Sequence, residues 1–192
     1  MIFSHAFAGA ALTRYLHKSS RLKFTEKQTN TIYFVGIISA ILPDLDVALI
    51  FLNNTVQHRT LITHSVVPYL FAALILWTVA LLQKNSFLKF IAVTFLLNVF
   101  FSHFFLDMLA GGLLLFTPFS GQHVGFPLNF PPEPLLWAKT YLTSKYMILE
   151  VLLTVGYLLT IREFKNKVLI YLPAFLFFVS ALSFAALFLV IL

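Results

Sequence analysis

The sequence predicts an all-α, polytopic membrane protein: a short N-terminal half-span helix and about five transmembrane helices around a buried polar metal site. Three observations lead there. The 192 residues are 60% hydrophobic and only 10% charged, with a mean hydropathy of +0.92, whereas a soluble domain averages about 25% charged residues. Long apolar stretches alternate with short basic loops. Histidines and aspartates lie inside those apolar stretches, where ionisable groups are costly and mark sites.

Taken in order, residues 2–13 hold His5 and would reach only ~18 Å as a helix, half a bilayer, so this helix should start inside the protein. Residues 32–52 contain the run LPDLD with Asp44 and Asp46. Pro43 interrupts the hydrogen-bond ladder there, and a broken helix at membrane depth is a recurrent site device. The two aspartates fall on different helix faces, so one of them is the expected ligand. Residues 66–83 follow the segment QHRTLITHS, and residues 87–116 contain NVFFSHFFLDML. Residues 147–161 are short and include Glu150, so that span should begin a few residues earlier, while 168–192 is an uninterrupted span of the ~20-residue length a bilayer requires. The chain reads as one integral membrane domain over 1–192. Its motif-bearing part is 1–120, its extracytoplasmic loop 117–146 and its C-terminal spans 147–192. The N-terminus lacks a basic n-region and carries a histidine, which argues against a cleaved signal peptide.

Lys and Arg set the expected orientation. Arg14, Lys18, Arg21, Lys23, Lys27, Lys84, Lys89, Arg162, Lys165 and Lys167 fall in alternate loops, against Arg59, Lys139 and Lys145 in the others. Loops 53–65 and 117–146 are therefore expected on the extracytoplasmic side. The formal charge of +6 follows from this loop distribution, so nucleic acid is not an expected partner.

Helical rise tests whether the ionisable residues can meet. His5 stands ~14 Å up from Arg14, Asp44 ~20 Å from Thr31, His103 ~21 Å from Lys89 and His64 ~30 Å from Lys84. These levels run from about the middle to the outer edge of a core about 30 Å thick, so the four residues are expected in its outer half. His103 and Asp107, four residues apart, share one helix face. A buried carboxylate stays ionised only beside a cation, and this span offers none beyond Lys89. The chain has no cysteine, which leaves imidazole and carboxylate as ligands for a metal. Arg59 suits an anion, because guanidinium holds phosphate oxygens in a bidentate fork. His17 belongs to the basic loop and is expected to be solvated. His123, Glu133 and Glu150 are weaker candidates.

These motifs resemble a known group. An N-terminal His in a short apolar helix, LPDLD, HR…THS and HxxxD followed by glycines and a TP are similar to the membrane-bound metal-dependent hydrolases, the YdjM-like hydrolases of bacterial inner membranes. The resemblance covers about residues 1–120. It implies His5, Asp44, Asp46, His58, Arg59, His64, His103 and Asp107 as the polar set. The chain departs from the pattern at Val47, Thr60 and Ala110. The order of these motifs is also similar to that of zinc-dependent phospholipases C and zinc nucleases, in which the HxxxD aspartate bridges two metals. By that likeness Asp107 would bridge one ion held by His5 and another held by Asp44, His64 and His103.

The expectation is metal-dependent hydrolysis of a phosphoester, on a lipid or lipid-linked substrate at the outer side of the bacterial inner membrane. Metal ligands would be His5, Asp44, His64, His103 and Asp107, and the catalytic candidates Arg59, Asp46 and His58. Zinc, one or two ions, suits His plus Asp best; manganese and iron also fit. The alternatives are a metal-ion or proton-coupled transporter using the same ligands, or a metal-stapled membrane scaffold.

Overall fold

The computed structural model describes residues 4–46, 61–126, 139–160 and 166–191. Among them the architecture is all-helical, apart from one isolated bridge between Leu113 and Val124. Helix α1 spans His5–Ser19 and α2 Glu26–Ile41. Helix α3 covers Val66–Leu82 and α4 Ser86–Leu109. Helix α5 is Lys145–Thr160 and α6 Lys167–Ile191. By length and composition α4 qualifies as a membrane span, whereas Val66–Leu82 and Lys167–Val179 are shorter apolar helices.

Local chemistry explains the boundaries. Thr25 and Gln28 form a capping box at the start of α2: the Gln28 amide donates to Thr25 Oγ1 (3.2 Å) and the Thr25 amide to Gln28 Oε1 (2.9 Å). Pro43 ends α2, and the chain continues as a 3₁₀ turn over Leu42–Leu45. Ser65 caps α3 through the Val67 amide, and Asn85 caps α4 through the amides of Phe87 and Leu88. Pro173 inside α6 has no N–H to offer the Leu169 carbonyl. The Tyr157 hydroxyl stands 3.4 Å from that oxygen and donates to the neighbouring Ile170 carbonyl at 2.6 Å.

Three helices build the wall that carries the site. Helices α1 and α2 cross so closely that a Cβ on Gly9 would lie 2.6 Å from Ala40 Cβ and 2.9 Å from the Gly36 carbonyl oxygen. A Cβ on Gly36 would overlap Thr13 Oγ1. Helix α4 packs against both of them and against α3, and α5 and α6 close over the other side of α1. Within α4, Asn98–Phe104 is wound as a π-helix, a widened turn that recurs at functional sites.

Each sequence-based segment carries a helix, with bounds that differ, and among the described residues α4 alone is long and apolar enough to cross a membrane. The apolar run 87–116 is helical only to Leu109; residues 110–116 leave the helix because Gly111 adopts φ 138°. The described part of the run, residues 147–160, belongs to a helix that starts at Lys145, a little earlier, as the shortness of that run required. Helix α1 does begin inside the protein, with His5 only 2% exposed.

Candidate metal centre

Five of the predicted ligands converge. His5 comes from the first turn of α1, Asp44 from the 3₁₀ turn after α2, His64 from a 3₁₀ turn before α3, and His103 and Asp107 from α4. His5, Asp44, His103 and Asp107 offer ligand atoms within 4.8 Å of one another, as do Asp44, Asp46 and His64. The cluster is buried at 0–2% exposure except for Asp44, whose side chain is 26% exposed and forms its open side.

The three imidazoles are oriented from behind. His5 Nδ1 lies 2.8 Å from the Ser102 carbonyl and His103 Nδ1 2.8 Å from the Ala40 carbonyl. A carbonyl only accepts, so each ring carries its proton on Nδ1 and turns a bare Nε2 lone pair toward the cluster. His64 Nδ1 faces Asp46 Oδ2 at 3.0 Å, the carboxylate–histidine pairing that fixes a ligand's tautomer. Among the described residues the buried His5 Nε2 has no hydrogen-bond partner. The His5 and His103 rings stack with centroids 4.1 Å apart.

Distances within the cluster suit a small cation. His64 Nε2 and His103 Nε2 are 3.4 Å apart. Asp44 Oδ1 lies 3.5 and 3.6 Å from them, and Asp107 Oδ2 3.9 and 3.6 Å. Ligands placed 2.0–2.2 Å from a tetrahedral zinc are separated by about 3.3–3.6 Å, and these five separations lie in or just above that range. The opposite oxygens turn toward the third histidine: His5 Nε2 is 3.3 Å from Asp107 Oδ1 and 4.0 Å from Asp44 Oδ2. Both aspartates thus present one oxygen to His64 and His103 and the other to His5. The donor set can hold a metal ion.

Asp46 is fully buried and faces His64 Nδ1, with a carboxylate oxygen also within 4.8 Å of an Asp44 ligand atom. Replacing it by Asn should weaken metal binding roughly 10–100-fold, because the amide can present N–H to His64 Nδ1 and release the ring. Competition with a chelating dye measures this.

Other expectations fare differently. His58, Arg59 and Glu133 lie outside the described residues. His123 is exposed and stands outside both ligand groups. His17 is not simply solvated: it is half-buried against Phe24 and Tyr33, with ring centroids 5.8 Å from each, and burial lowers its pKa. Glu150 is buried and accepts from the Tyr141 hydroxyl.

Below the cluster lies a neutral floor that the sequence reading missed. Ser102 Oγ donates to Asn98 Oδ1 (3.1 Å), and Asn98 Nδ2 donates to Thr13 Oγ1 (3.0 Å) and the Thr94 carbonyl (2.9 Å). Ser102, whose carbonyl holds His5, is thereby tied to α1. Asn98 and Ser102, polar and four apart in the apolar run NVFFS, were the available signal.

The fold and site define an all-helical class of protein with a buried histidine–aspartate centre. The sequence pattern of the YdjM inner membrane protein family matches residues 1–188, and the chain belongs to that family. No curated protein and no solved structure matches it.

Proposed function

We propose that this protein is a metal-dependent hydrolase that cleaves a phosphoester of a lipid or lipid-linked substrate. The observation that carries the reading is the convergence of three Nε2 atoms, each fixed from behind, on two carboxylates in an apolar wall. His64, His103, Asp44 and Asp107 would hold one zinc ion, and His5 with the far oxygens of both aspartates a second. When bound, such an ion lowers the pKa of a water molecule to near 7 and so makes hydroxide available at neutral pH. Asp46 keeps His64 in its ligating tautomer, and Ser102 and Ala40 do the same for His5 and His103. The partial exposure of Asp44 supports an open coordination position, which a stapled scaffold would not need. The neutral, mutually bonded floor of Ser102, Asn98 and Thr13 favours an enzyme over a transporter, which would need a path past them.

The same reading takes the chain as polytopic, with five spans and the cluster toward the extracytoplasmic face. Its support is the apolar surface of the helices: Leu70, Phe71, Leu74 and Leu82 on α3, Ile148, Leu152 and Leu159 on α5, and Phe175 and Phe178 on α6 are exposed, as side chains facing lipid would be. In intact cells, cysteines at Ser19, Asn85 and Asn166 should resist an impermeant thiol reagent and one at Thr143 should react. The reverse pattern would invert the orientation.

Arg59, five residues before His64, is assigned to the substrate anion and not to the metal. Arg59→Lys keeps the charge but loses the fork, so metal content should stay while phosphate release from a lipid phosphoester falls roughly tenfold or more. The loss belongs in kcat if the fork tightens on the developing charge, and in KM if it holds only the ground state. Wild-type turnover in this variant would remove Arg59 from the mechanism. Metal flux into proteoliposomes without phosphate release would favour the transporter.

A further inference from the structure

The loop that follows α4 is built rigidly at its base and apolar at its tip. Residues 110–126 contain no Asp, Glu, Lys or Arg. The chain turns at Gly111, passes out through Leu113 and returns through Val124, whose amide and carbonyl pair with those of Leu113 at 2.9 and 3.0 Å. At the return, Gly125 has φ +137°, and a Cβ there would lie 2.6 Å from the Gly111 oxygen and 2.7 Å from the Met108 oxygen. Phe126 then donates its amide to the Met108 carbonyl at 2.8 Å. The other flank is fastened to α3: the Val66 amide donates to the Leu115 carbonyl (2.9 Å) and Ser65 Oγ to the Thr117 carbonyl (2.6 Å).

Leu113 and Leu115 fill the base and are buried, whereas Phe116, Phe119 and Phe126 are 47%, 81% and 62% exposed. Three exposed phenylalanines on an uncharged loop form a surface that water disfavours. The loop starts at the end of α4, the helix long and apolar enough to span a bilayer, and one turn beyond Asp107. A loop at that level meets the lipid boundary, where aromatic side chains act as anchors. We propose that this loop is a lipid-interface anchor: its Phe116–Phe119 tip and Phe126 enter the membrane beside the metal cluster and set the depth of the cluster against the headgroups. Lipid is the occupant because the loop leaves a helix long and apolar enough to span a bilayer and, within residues 110–126, offers no Asp, Glu, Lys or Arg to a protein partner. The inference rests on α4 crossing the membrane and not on the hydrolase reading.

The chain has no cysteine, so single nitroxide labels report cleanly. Phe119→Cys and, with all three phenylalanines kept, Ser120→Cys are labelled in full-length protein in phosphatidylethanolamine–phosphatidylglycerol vesicles. Leu74→Cys on α3 serves as the lipid reference and Ser19→Cys as the aqueous one. Oxygen should relax both loop labels more than a water-soluble nickel chelate does, as at Leu74→Cys. Collisions with the nickel complex at the level of Ser19→Cys would place the tip in water and overturn the proposal. Protection from both reagents would mean a protein contact, from a second copy or another chain, and would overturn it too. An aqueous signal at Leu74→Cys would remove the spanning arrangement and the anchor with it, whatever the phosphatase assay gives.

Discussion

Asp107→Asn should strip the protein of most of its metal. The carboxylate is fully buried, with Oδ1 3.3 Å from His5 Nε2 and Oδ2 3.6 Å from His103 Nε2. It is the one ligand of α4 that faces all three imidazoles. An amide of the same size offers one neutral oxygen and turns an N–H₂ donor toward a ligand lone pair or a cation. The loss in affinity should therefore be at least the 10–100-fold typical of perturbing a ligand's supporting partner, and larger because Asp107 is itself a ligand. Stability separates this role from simple packing. Metal-free wild type must bury Asp107 beside the half-buried Asp44, and removing one of two neighbouring carboxylates relieves repulsion. The metal-free variant should thus melt no lower than metal-free wild type, while wild type alone gains on adding zinc. Full metal content in Asp107→Asn, by elemental analysis, would leave His103 and Asp107 as a helix-packing pair.

Gly9→Leu is expected to be the most disruptive change away from the cluster. At this crossing even a Cβ would come within 2.6 Å of Ala40 Cβ and 2.9 Å of the Gly36 backbone oxygen, so α1 and α2 must separate. Overpacking of this kind costs roughly 1–3 kcal/mol, and an isobutyl group facing backbone belongs at the upper end. The shift also reaches the site, because His5 lies one turn from Gly9 on α1 and the Ala40 carbonyl holds His103. Thermal unfolding in detergent should fall by several degrees, with weaker metal binding as its companion. By contrast Gly121→Ala, where a Cβ meets nothing within 4 Å, should be silent. Equal melting of Gly9→Leu and wild type would mean that the helices do not cross as described.

Much of the site was legible because helical rise converts sequence distance to depth. His5, Asp44, His64 and His103 were counted from Arg14, Thr31, Lys84 and Lys89 toward the outer half of the core, and they meet in one cluster. The spacing of Asp44 and Asp46 put them on different helix faces, and their carboxylates do face different partners, Asp46 the His64 Nδ1 and Asp44 the Nε2 atoms. What stayed hidden depends on departures from the regular helix. The π-helix over Asn98–Phe104 leaves no mark in the periodicity of that run, so the role of the Ser102 carbonyl could not be read. The end of α4 at Leu109 was masked by the leucines of GGLLLF, which prolong the hydropathy after the helix has stopped at Gly111. His17 looked like one more member of a basic loop because its partners, Phe24 and Tyr33, come from the following segment.

The measurement closest to the central claim is the metal content of the full-length chain purified without chelators, combined with X-ray absorption at the zinc edge. The account predicts one to two zinc ions per chain with nitrogen and oxygen ligands at about 2.0–2.2 Å, lost on chelation together with a fall in melting temperature. A chain that carries no stoichiometric metal, takes up none from added zinc and melts identically with and without chelator would contradict it.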